Sequence, residues 1–483
     1  MTSLSVLVPV YNEQHLVAAS LERLEILSVS PLLSRVQVIV VDDHSTDSTP
    51  EVLRRFQAAR AGSKIEWVFL RHDRNRGKGH AIQTALAQAS CAITAIHDAD
   101  LEYHPKDLLR IVKVFEEEKA DAVFGSRFTG ADVRRVLFFR HQMGNRLLTF
   151  LTNLVTDLNV SDMETCYKAV RTDLLKSIPL RSNDFRLEPE LTIKLAKRGA
   201  RLFEVPIRYS GRTYREGKKI GWRDGVKALT AIGRFALSED IFVADQFRSD
   251  TVARLSRAPQ FQAWLADQIR PRLGARVLEI GSGTGDLTQL LLPRERYVAT
   301  DVNPLCVHAL EALEADRPYF RAQACDVLAP ATFPKDDFDT VVCVDVLGSV
   351  ADDLAALRNI HSALSDGGRA VVVVPHQPSL SGTLDRAAGY MRRYDEASLR
   401  ELAANAGFEV SLLAPFNRAG TAGWWLGGTV LRRHKFDVAA VMALNGLTPV
   451  LRKVDTRLPL PALSLLAVLE AAPAAAAAVS EGR

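Results

Sequence analysis

The sequence predicts two α/β domains in series, and three observations carry the prediction. Over residues 1–237 short β-branched runs alternate with longer helical patterns. The same alternation restarts over residues 271–470. Between them residues 238–270 read as a helical linker with no strand pattern. A chain of 483 residues also exceeds what one hydrophobic core usually serves.

In the first domain Ser5–Pro9, Val36–Val41, Glu66–Leu70, Ala92–His97 and Asp121–Gly125 read as strands. Glu51–Arg60, Lys78–Gln88 and Pro105–Lys119 read as helices between them. This rhythm builds a mostly parallel sheet covered by helices. Such sheets collect ligands at the carboxyl ends of their strands. In the second domain Arg276–Glu279, Tyr297–Thr300, Thr340–Cys343 and Ala370–Val374 read as buried strands. Residues 471–483, alanine-rich and then Ser-Glu-Gly-Arg, read as a disordered tail.

Composition is that of an ordinary globular protein, 47% hydrophobic and 24% charged. The net charge of +4 is uneven: residues 1–240 hold 36 Lys and Arg against 30 Asp and Glu, the remainder 25 against 27. A modestly basic first half suits anionic ligands or an anionic membrane surface, and is too weak and mixed for nucleic acid. Cys91, Cys166, Cys306, Cys325 and Cys343 are scattered without metal-ligand spacing, which fits free thiols in a reducing cytosol. Pro9 and the acidic residues after it make the apolar run at 4–10 a strand rather than a signal peptide. No run approaches the ~18–20 apolar residues of a membrane span. The expectation is a cytoplasmic protein, with peripheral contact at the inner face of the membrane left open.

The chemistry-bearing motifs sit at strand ends. The first strand runs into Val8-Pro9-Val10-Tyr11-Asn12-Glu13, and the second ends in Asp42-Asp43-His44-Ser45-Thr46-Asp47. Carboxylates there can accept from a base N–H or ribose hydroxyls, or serve a turn capped by Ser45, Asp47 and Thr49. Asn75-Arg76-Gly77-Lys78-Gly79-His80-Ala81 opens a helix. Its glycines permit close backbone approach, and Lys78 with the helix N-terminus favours a phosphate. Asp98-Ala99-Asp100-Leu101-Glu102 follows an apolar run. Carboxylates one residue apart at a strand end supply the oxygen ligands that Mg²⁺ or Mn²⁺ prefers when bridging a pyrophosphate.

These residues resemble the GT-A fold (Rossmann-like), inverting family 2 glycosyltransferases of the dolichyl-phosphate mannosyltransferase and polyprenyl-phosphate glycosyltransferase type. The resemblance spans residues 3–235. It extends through Gly125-Ser126-Arg127, Asp162–Lys168 (DMETCYK), Phe185–Glu190 (FRLEPE) and Gly211–Gly225. It implies that Pro9, Tyr11, Glu13, Asp42 and Asp43 line a GDP- or UDP-linked nucleotide sugar. It implies further that Asp98, Asp100 and Glu102 surround the metal and that Arg127 binds acceptor phosphate. Glu102 stands where the mannosyltransferases often have Gln, and still offers oxygen. The role of Asp162 depends on the acceptor. A hydroxyl must lose a proton as it attacks, which calls for a base. A polyprenyl phosphate is already anionic, and Asp162 would then orient groups or position Lys168 and Arg171. The run 201–227 holds eight Lys and Arg against three acids, with aromatics between, and reads as a phosphate clamp or headgroup-binding loop. Residues 224–240 read as a helix packed on its own domain, or as an interfacial one.

In the second domain Val277–Gly285 (VLEIGSGTG) is a strand running into a glycine turn, and Asp301 ends the next strand. A dinucleotide or another ribose-bearing cofactor suits this arrangement. The segment resembles class I S-adenosylmethionine-dependent methyltransferases, also Rossmann-like, over residues 255–470. Ala324–Val327, Phe338–Leu347 and Ser365–Arg369 continue the match. The resemblance implies Glu279, Gly281, Gly283, Asp301 and Asp326 as cofactor contacts. Relatives often carry Glu-His where this chain has Gly348-Ser349. His376 and Asp345 are the candidate bases. Asp385, Tyr390, Arg392, Arg393 and Tyr394 resemble an acceptor-side insertion, or form a salt-bridged lid. Trp424 and Trp425 read as core or interface aromatics.

The expectation is a bifunctional enzyme that moves a sugar to a polyprenyl phosphate and methylates a related glycan or lipid hydroxyl. The alternatives are transfer to a soluble hydroxyl with a second domain that only binds or regulates, and an oxidoreductase using a dinucleotide at Gly281–Gly285.

Overall fold

The computed structural model describes residues 1–129, 139–211, 222–243, 247, 249–314 and 317–471. The chain separates into two compact units, Met1–Val243 and Ala244–Arg483. The expected tail at 471–483 lies almost wholly outside the described residues.

In the first unit the described residues form a seven-stranded sheet in the order β3-β2-β1-β4-β6-β5-β7. The strands are β1 (Thr2–Val10), β2 (Leu33–Asp42), β3 (Glu66–Arg71), β4 (Ile93–Ile96), β5 (Ala122–Ser126), β6 (Lys168–Arg171) and β7 (Leu202–Pro206). Leu4–Val8 and Val36–Val41 are buried on both faces, as near-continuous apolar runs of a helix-covered parallel sheet should be. β1 to β4 are mutually parallel, and β5 is parallel to β7. β6 lies antiparallel between β4 and β5. β6 and β7 carry no strong strand signal. β6 is four residues, Lys-Ala-Val-Arg, and its Lys168 is buried only because Glu188 and two carbonyls receive its ammonium. Helices Phe139–Thr156, Leu187–Lys197 and Trp222–Leu237 pack on one another beside the sheet, around Met163, Ile193, Ile232 and Phe235.

The second unit holds a seven-stranded sheet in the order β10-β9-β8-β11-β12-β14-β13. Its strands are β8 (Arg276–Ile280), β9 (Arg296–Asp301), β10 (Phe320–Ala324), β11 (Phe338–Val344), β12 (Leu364–Pro375), β13 (Phe408–Phe416) and β14 (Ser464–Ala471). β14 runs antiparallel to both its neighbours. Strand alternation divides the core into two layers. Leu278, Ile280 and Cys343 face one layer, and Val277, Tyr297 and Val342 the other. Helix Pro259–Ile269, inside the stretch expected as linker, places Trp264, Leu265 and Ile269 in the second layer. It is therefore part of this unit's core and not a spacer.

Candidate active sites

The turns after β1 and β2 are stitched together. The Asn12 amide donates to Ser45 Oγ (2.9 Å), the Thr46 amide to Asn12 Oδ1 (2.8 Å), and the Glu13 amide to Thr49 Oγ1 (2.9 Å). Pro9 is half-buried at the end of β1, Glu13 is half-buried, and Tyr11 is 39% exposed. Asp42 is buried. Its Oδ1 accepts the Ser45 amide, while Oδ2 lies 3.1 Å from Arg71 Nε without a hydrogen bond. The Arg71 charge offsets the burial of this carboxylate, and a strand-end oxygen short of hydrogen bonds is a place for a ligand's N–H.

Asp43 differs from its expected place. Its carboxylate accepts from His72 Nδ1 (2.7 Å), the Arg76 amide (2.8 Å) and the Gly77 amide (2.7 Å), so it holds the following loop rather than facing a ligand. The expectation that this loop cradles a phosphate also needs correction. The Gly79 and His80 amides donate to the Asn183 carbonyl (2.8 and 3.4 Å), which occupies the helix N-terminus. The glycines serve this contact: a Cβ on Gly77 or Gly79 would collide with the backbone oxygens of Asn183 and Ser182. Gly77 also has φ +95°. Lys78 turns to Asp98 (2.9 Å) and approaches Cys166 Sγ (3.6 Å) and Glu188 (3.8 Å). Burial works against its charge, but Asp98, with Cys166 and Glu188, raises its pKa well above the usual lysine value.

Asp98 and Asp100 stand half-buried beyond β4. The carboxyl of Asp98 is held below its usual range, Lys78 outweighing the cost of burial. Glu102 is drawn aside by the Tyr209 hydroxyl (2.7 Å). The three acids thus do not converge, and among the described residues no group of three His, Cys, Asp or Glu could hold a metal ion.

Tyr209 links two parts of the site. Its ring also lies 5.0 Å from the Arg127 guanidinium. Arg127 grips Asp162 through Nε (2.7 Å) and Nη2 (2.7 Å), and its amide adds a third bond (3.0 Å). Asn145 supplies a fourth (3.0 Å). Asp162 is wholly buried, yet Arg127 holds its carboxyl below the usual range. Asp162 does not position Lys168, whose ammonium is spent on Met163, Thr165 and Glu188. Of the basic run, Arg201 pairs with Asp121 and Arg208 with Asp107; residues 212–221 lie outside the described residues.

Glu164 was not singled out from sequence, although it follows Asp162 by two positions. Its Oε1 is buried without a partner among the described residues, and burial, then Glu188, pushes its carboxyl up to about 7.

In the second unit Gly281, Gly283 and Gly285 all adopt positive φ, +74°, +56° and +86°. A Cβ on Gly281 would collide with Val346. Asp301, at the end of β9, accepts the Gly283 amide (2.9 Å) and the Asn303 amide (2.8 Å), and burial raises its pKa. Asp326, beyond β10, accepts the Leu328 amide (2.9 Å). The turn, Asp301 and Asp326 therefore lie at three neighbouring strand ends. Glu279 departs from expectation. It shares a face with Val277, turned into the core, where it accepts from Thr288 (2.6 Å) and Tyr297 (2.8 Å). Its part is to brace β8 against the next helix and strand. His376 is buried, with Nδ1 bonded to the Tyr394 carbonyl (2.8 Å), which fixes the orientation of its ring. Arg392 pairs with Asp353 (2.7 Å).

Each unit is thus an α/β sheet with carboxylates at the carboxyl ends of its strands. Residues 5–178 match the family described as Glycosyl transferase family 2, and residues 247–413 the one described as Methyltransferase domain. An uncharacterised protein of Methanocaldococcus jannaschii is 30% identical over 211 residues, 42% of this chain and 79% of that protein. The undecaprenyl-phosphate 4-deoxy-4-formamido-L-arabinose transferase of Edwardsiella ictaluri is 29% identical over 214 residues, 44% of this chain and 62% of that protein. Among solved structures, glucosyl-3-phosphoglycerate synthase of Mycobacterium tuberculosis with Mn²⁺, uridine diphosphate and phosphoglyceric acid is 19% identical. That match covers 51% of this chain and 80% of that one, with a TM-score of 0.36. The chain belongs to glycosyl transferase family 2 through its first unit and carries a methyltransferase domain in its second.

Proposed function

We propose that the first unit transfers a sugar, with inversion, from a UDP- or GDP-linked donor to a polyprenyl phosphate. The Arg127–Asp162 pair carries this reading. Both oxygens of Asp162 are occupied and its carboxyl is held low, so it is a poor proton acceptor. A phosphate acceptor needs no base; it needs a fixed cation, and Arg127 is one. The Edwardsiella ictaluri relative, named for transfer to undecaprenyl phosphate, supports the same acceptor class.

In this reading Asp42 receives the base through Oδ2, with Pro9, Tyr11 and Glu13 along the nucleotide. Asp98 and Asp100 are oxygen donors of the kind that would hold Mg²⁺ or Mn²⁺. The metal, when bound, offsets diphosphate charge. Lys78 holds Asp98, and Glu102 holds the Tyr209 ring against which Arg127 rests.

A lipid acceptor is also supported by helix Phe139–Thr156. Phe139, Met143, Leu147, Phe150 and Leu154 recur at three- and four-residue spacing and are exposed, Phe139 by 74% and Leu154 by 70%. Val226, Leu229 and Leu237 are exposed on the adjoining helix Trp222–Leu237, and Arg146, Lys227 and Arg234 are exposed on the same two helices. Such a surface suits peripheral contact with an anionic membrane. Among the described residues no helix is long and apolar enough to cross one.

The second unit, in this reading, methylates a hydroxyl of a glycan or lipid. The positive-φ turn at Gly281–Gly285, with Asp301 and Asp326 at the neighbouring strand ends, fits S-adenosylmethionine. The sulfonium of that group makes its methyl transferable.

Glu164 favours a second reading. A carboxyl titrating at about 7 with one oxygen unpartnered has the properties of a base for a hydroxyl acceptor.

The test is sugar transfer by the purified chain from UDP- and GDP-sugars with Mg²⁺ or Mn²⁺, with and without a short polyprenyl phosphate, beside Asp100→Ala. Lipid-dependent product lost in the variant is expected. Metal-dependent donor hydrolysis without lipid product would discard the polyprenyl acceptor.

A further inference from the structure

We infer that Asp345 is the base of the methyltransferase unit and that Arg393, Tyr390 and Trp424 bind its acceptor, a hydroxyl of a sugar ring. The inference rests on the methyltransferase reading above.

Asp345 directly follows β11, which pairs with β8 through Cys343 and Ile280. Val346, the next residue, is what a Cβ on Gly281 would strike. Asp345 therefore stands beside the glycine turn. Its backbone is held at φ +58°, a conformation that costs a non-glycine residue free energy and that surrounding structure must impose. Its Oδ1 is shielded from solvent and has no hydrogen-bond partner among the described residues.

A complementary orphan lies in the same cluster. Arg393 is buried, with Nε on Asp385 (2.5 Å) and Nη1 on the His376 carbonyl (2.6 Å), while Nη2 has no partner among the described residues. Asp385 is fixed in turn by Trp424 Nε1 (3.2 Å), and the Arg393 guanidinium lies 5.2 Å from the indole. Tyr390 stacks on Trp424 (6.2 Å, 23°), and its hydroxyl faces Asp345. An unpartnered acceptor and an unpartnered donor, each costly to bury alone, are satisfied together by a ligand with a hydroxyl and a neighbouring oxygen. A sugar ring has both, and an apolar face for the aromatic pair.

The cluster also accounts for the missing Glu-His pair. A Cβ on Gly348 would press on Pro375 (2.8 Å) and the Arg392 carbonyl (3.2 Å), and the Gly348 carbonyl accepts the Met391 amide (2.7 Å). The strap 389–394 lies where a side chain at 348 would stand. Asp345 remains to take the proton. Burial pushes its carboxyl up to about 6, with Tyr390 and Arg393 pulling the other way, so it is ionised at neutral pH and basic enough to act. Asp345 accepts the hydroxyl proton while the acceptor oxygen bonds the methyl carbon. The S–CH₃ bond breaks with its electron pair left on sulfur, the sulfonium becomes a thioether, and Asp345 releases its proton to solvent.

The experiment compares the full wild-type chain with Asp345→Asn and Asp345→Gly. The readouts are S-adenosylhomocysteine affinity by calorimetry, melting temperature, and methyl transfer from S-adenosylmethionine. The acceptors are octyl glucoside, methyl mannoside and the lipid product of the first unit. Expected are affinities within about twofold of wild type, melting near wild type for Asp345→Asn and at or above it for Asp345→Gly, where strain and an orphan are relieved, and transfer reduced about 100-fold or more in both. Variants that melt several degrees lower, or lose cofactor affinity tenfold, make Asp345 structural or a cofactor contact and overturn the inference. Retained transfer overturns it too. Wild type that binds S-adenosylhomocysteine but methylates none of the three overturns the sugar-hydroxyl acceptor. Wild type that binds no S-adenosylhomocysteine defeats the methyltransferase reading itself.

Discussion

Arg127 and Asp162 face each other in a two-pronged ion pair, Nε to Oδ2 and Nη2 to Oδ1, both at 2.7 Å, with Asp162 inaccessible to solvent. Breaking a buried pair from one side leaves an uncompensated charge, a loss of about 3–5 kcal/mol. Asp162→Ala should lower stability by about that much at pH 7. The Asp162 carboxyl is depressed in the folded state, so its contribution is fully present above the ordinary aspartate range and fades as pH falls through its folded value. Urea midpoints of wild type and variant should therefore differ most near neutral pH and draw together in acid. A gap that widens in acid would contradict the pairing.

Gly79→Ala should destabilise the first unit by about 1–3 kcal/mol, because the new methyl meets the Ser182 carbonyl oxygen and backbone cannot yield as a side chain tip can. Donor affinity, corrected for the folded fraction, should be nearly unchanged, since this loop's amides serve Asp43 and Asn183. Denaturation and nucleotide titration of the same sample check both statements. A variant of normal stability with weakened nucleotide binding would restore the phosphate-cradle role.

Glu164 titrates at about 7 when folded, well above an unfolded glutamate. A raised carboxyl contributes stability in acid that is lost as pH rises through the folded value. Glu164→Gln should thus gain on wild type between pH 5 and pH 8, by on the order of 3 kcal/mol at the high end. Sugar transfer to a polyprenyl phosphate at pH 7.5 should persist in the variant within a few-fold. Loss of about 100-fold or more would favour the hydroxyl acceptor with Glu164 as base.

Phe150→Glu changes a side chain that is 62% exposed, so the melting temperature should hardly move. Sedimentation with vesicles containing anionic lipid should fall about tenfold, since one apolar contact is lost and one repulsive charge is added. Equal binding by both proteins would remove helix Phe139–Thr156 from any membrane contact.

The division into two α/β domains was legible because its signals are local. β-Branched runs, helical spacing and strand-end acids are read within a few residues, and Val36–Val41 or Val277–Gly285 need no distant partner to be recognised. β6, β7, β10, β13 and β14 escaped notice; in β6, Lys168 becomes a strand residue only when Glu188 arrives to neutralise it.

The motif residues, their order and the family resemblance they carry come from the chain alone. Which way each carboxylate turns was decided by the fold. Asp42 and Asp43 are neighbours in sequence, yet one turns to Arg71 and the Ser45 amide and the other is consumed by His72, Arg76 and Gly77. Glu279 and Asp301 read alike at strand ends, yet pleat alternation sends the first into the core. The glycines of residues 75–81 admit the Asn183 carbonyl where sequence reasoning places a phosphate. A buried polar group must find a partner, and here that partner is supplied by chain segments far away in sequence that only folding brings near.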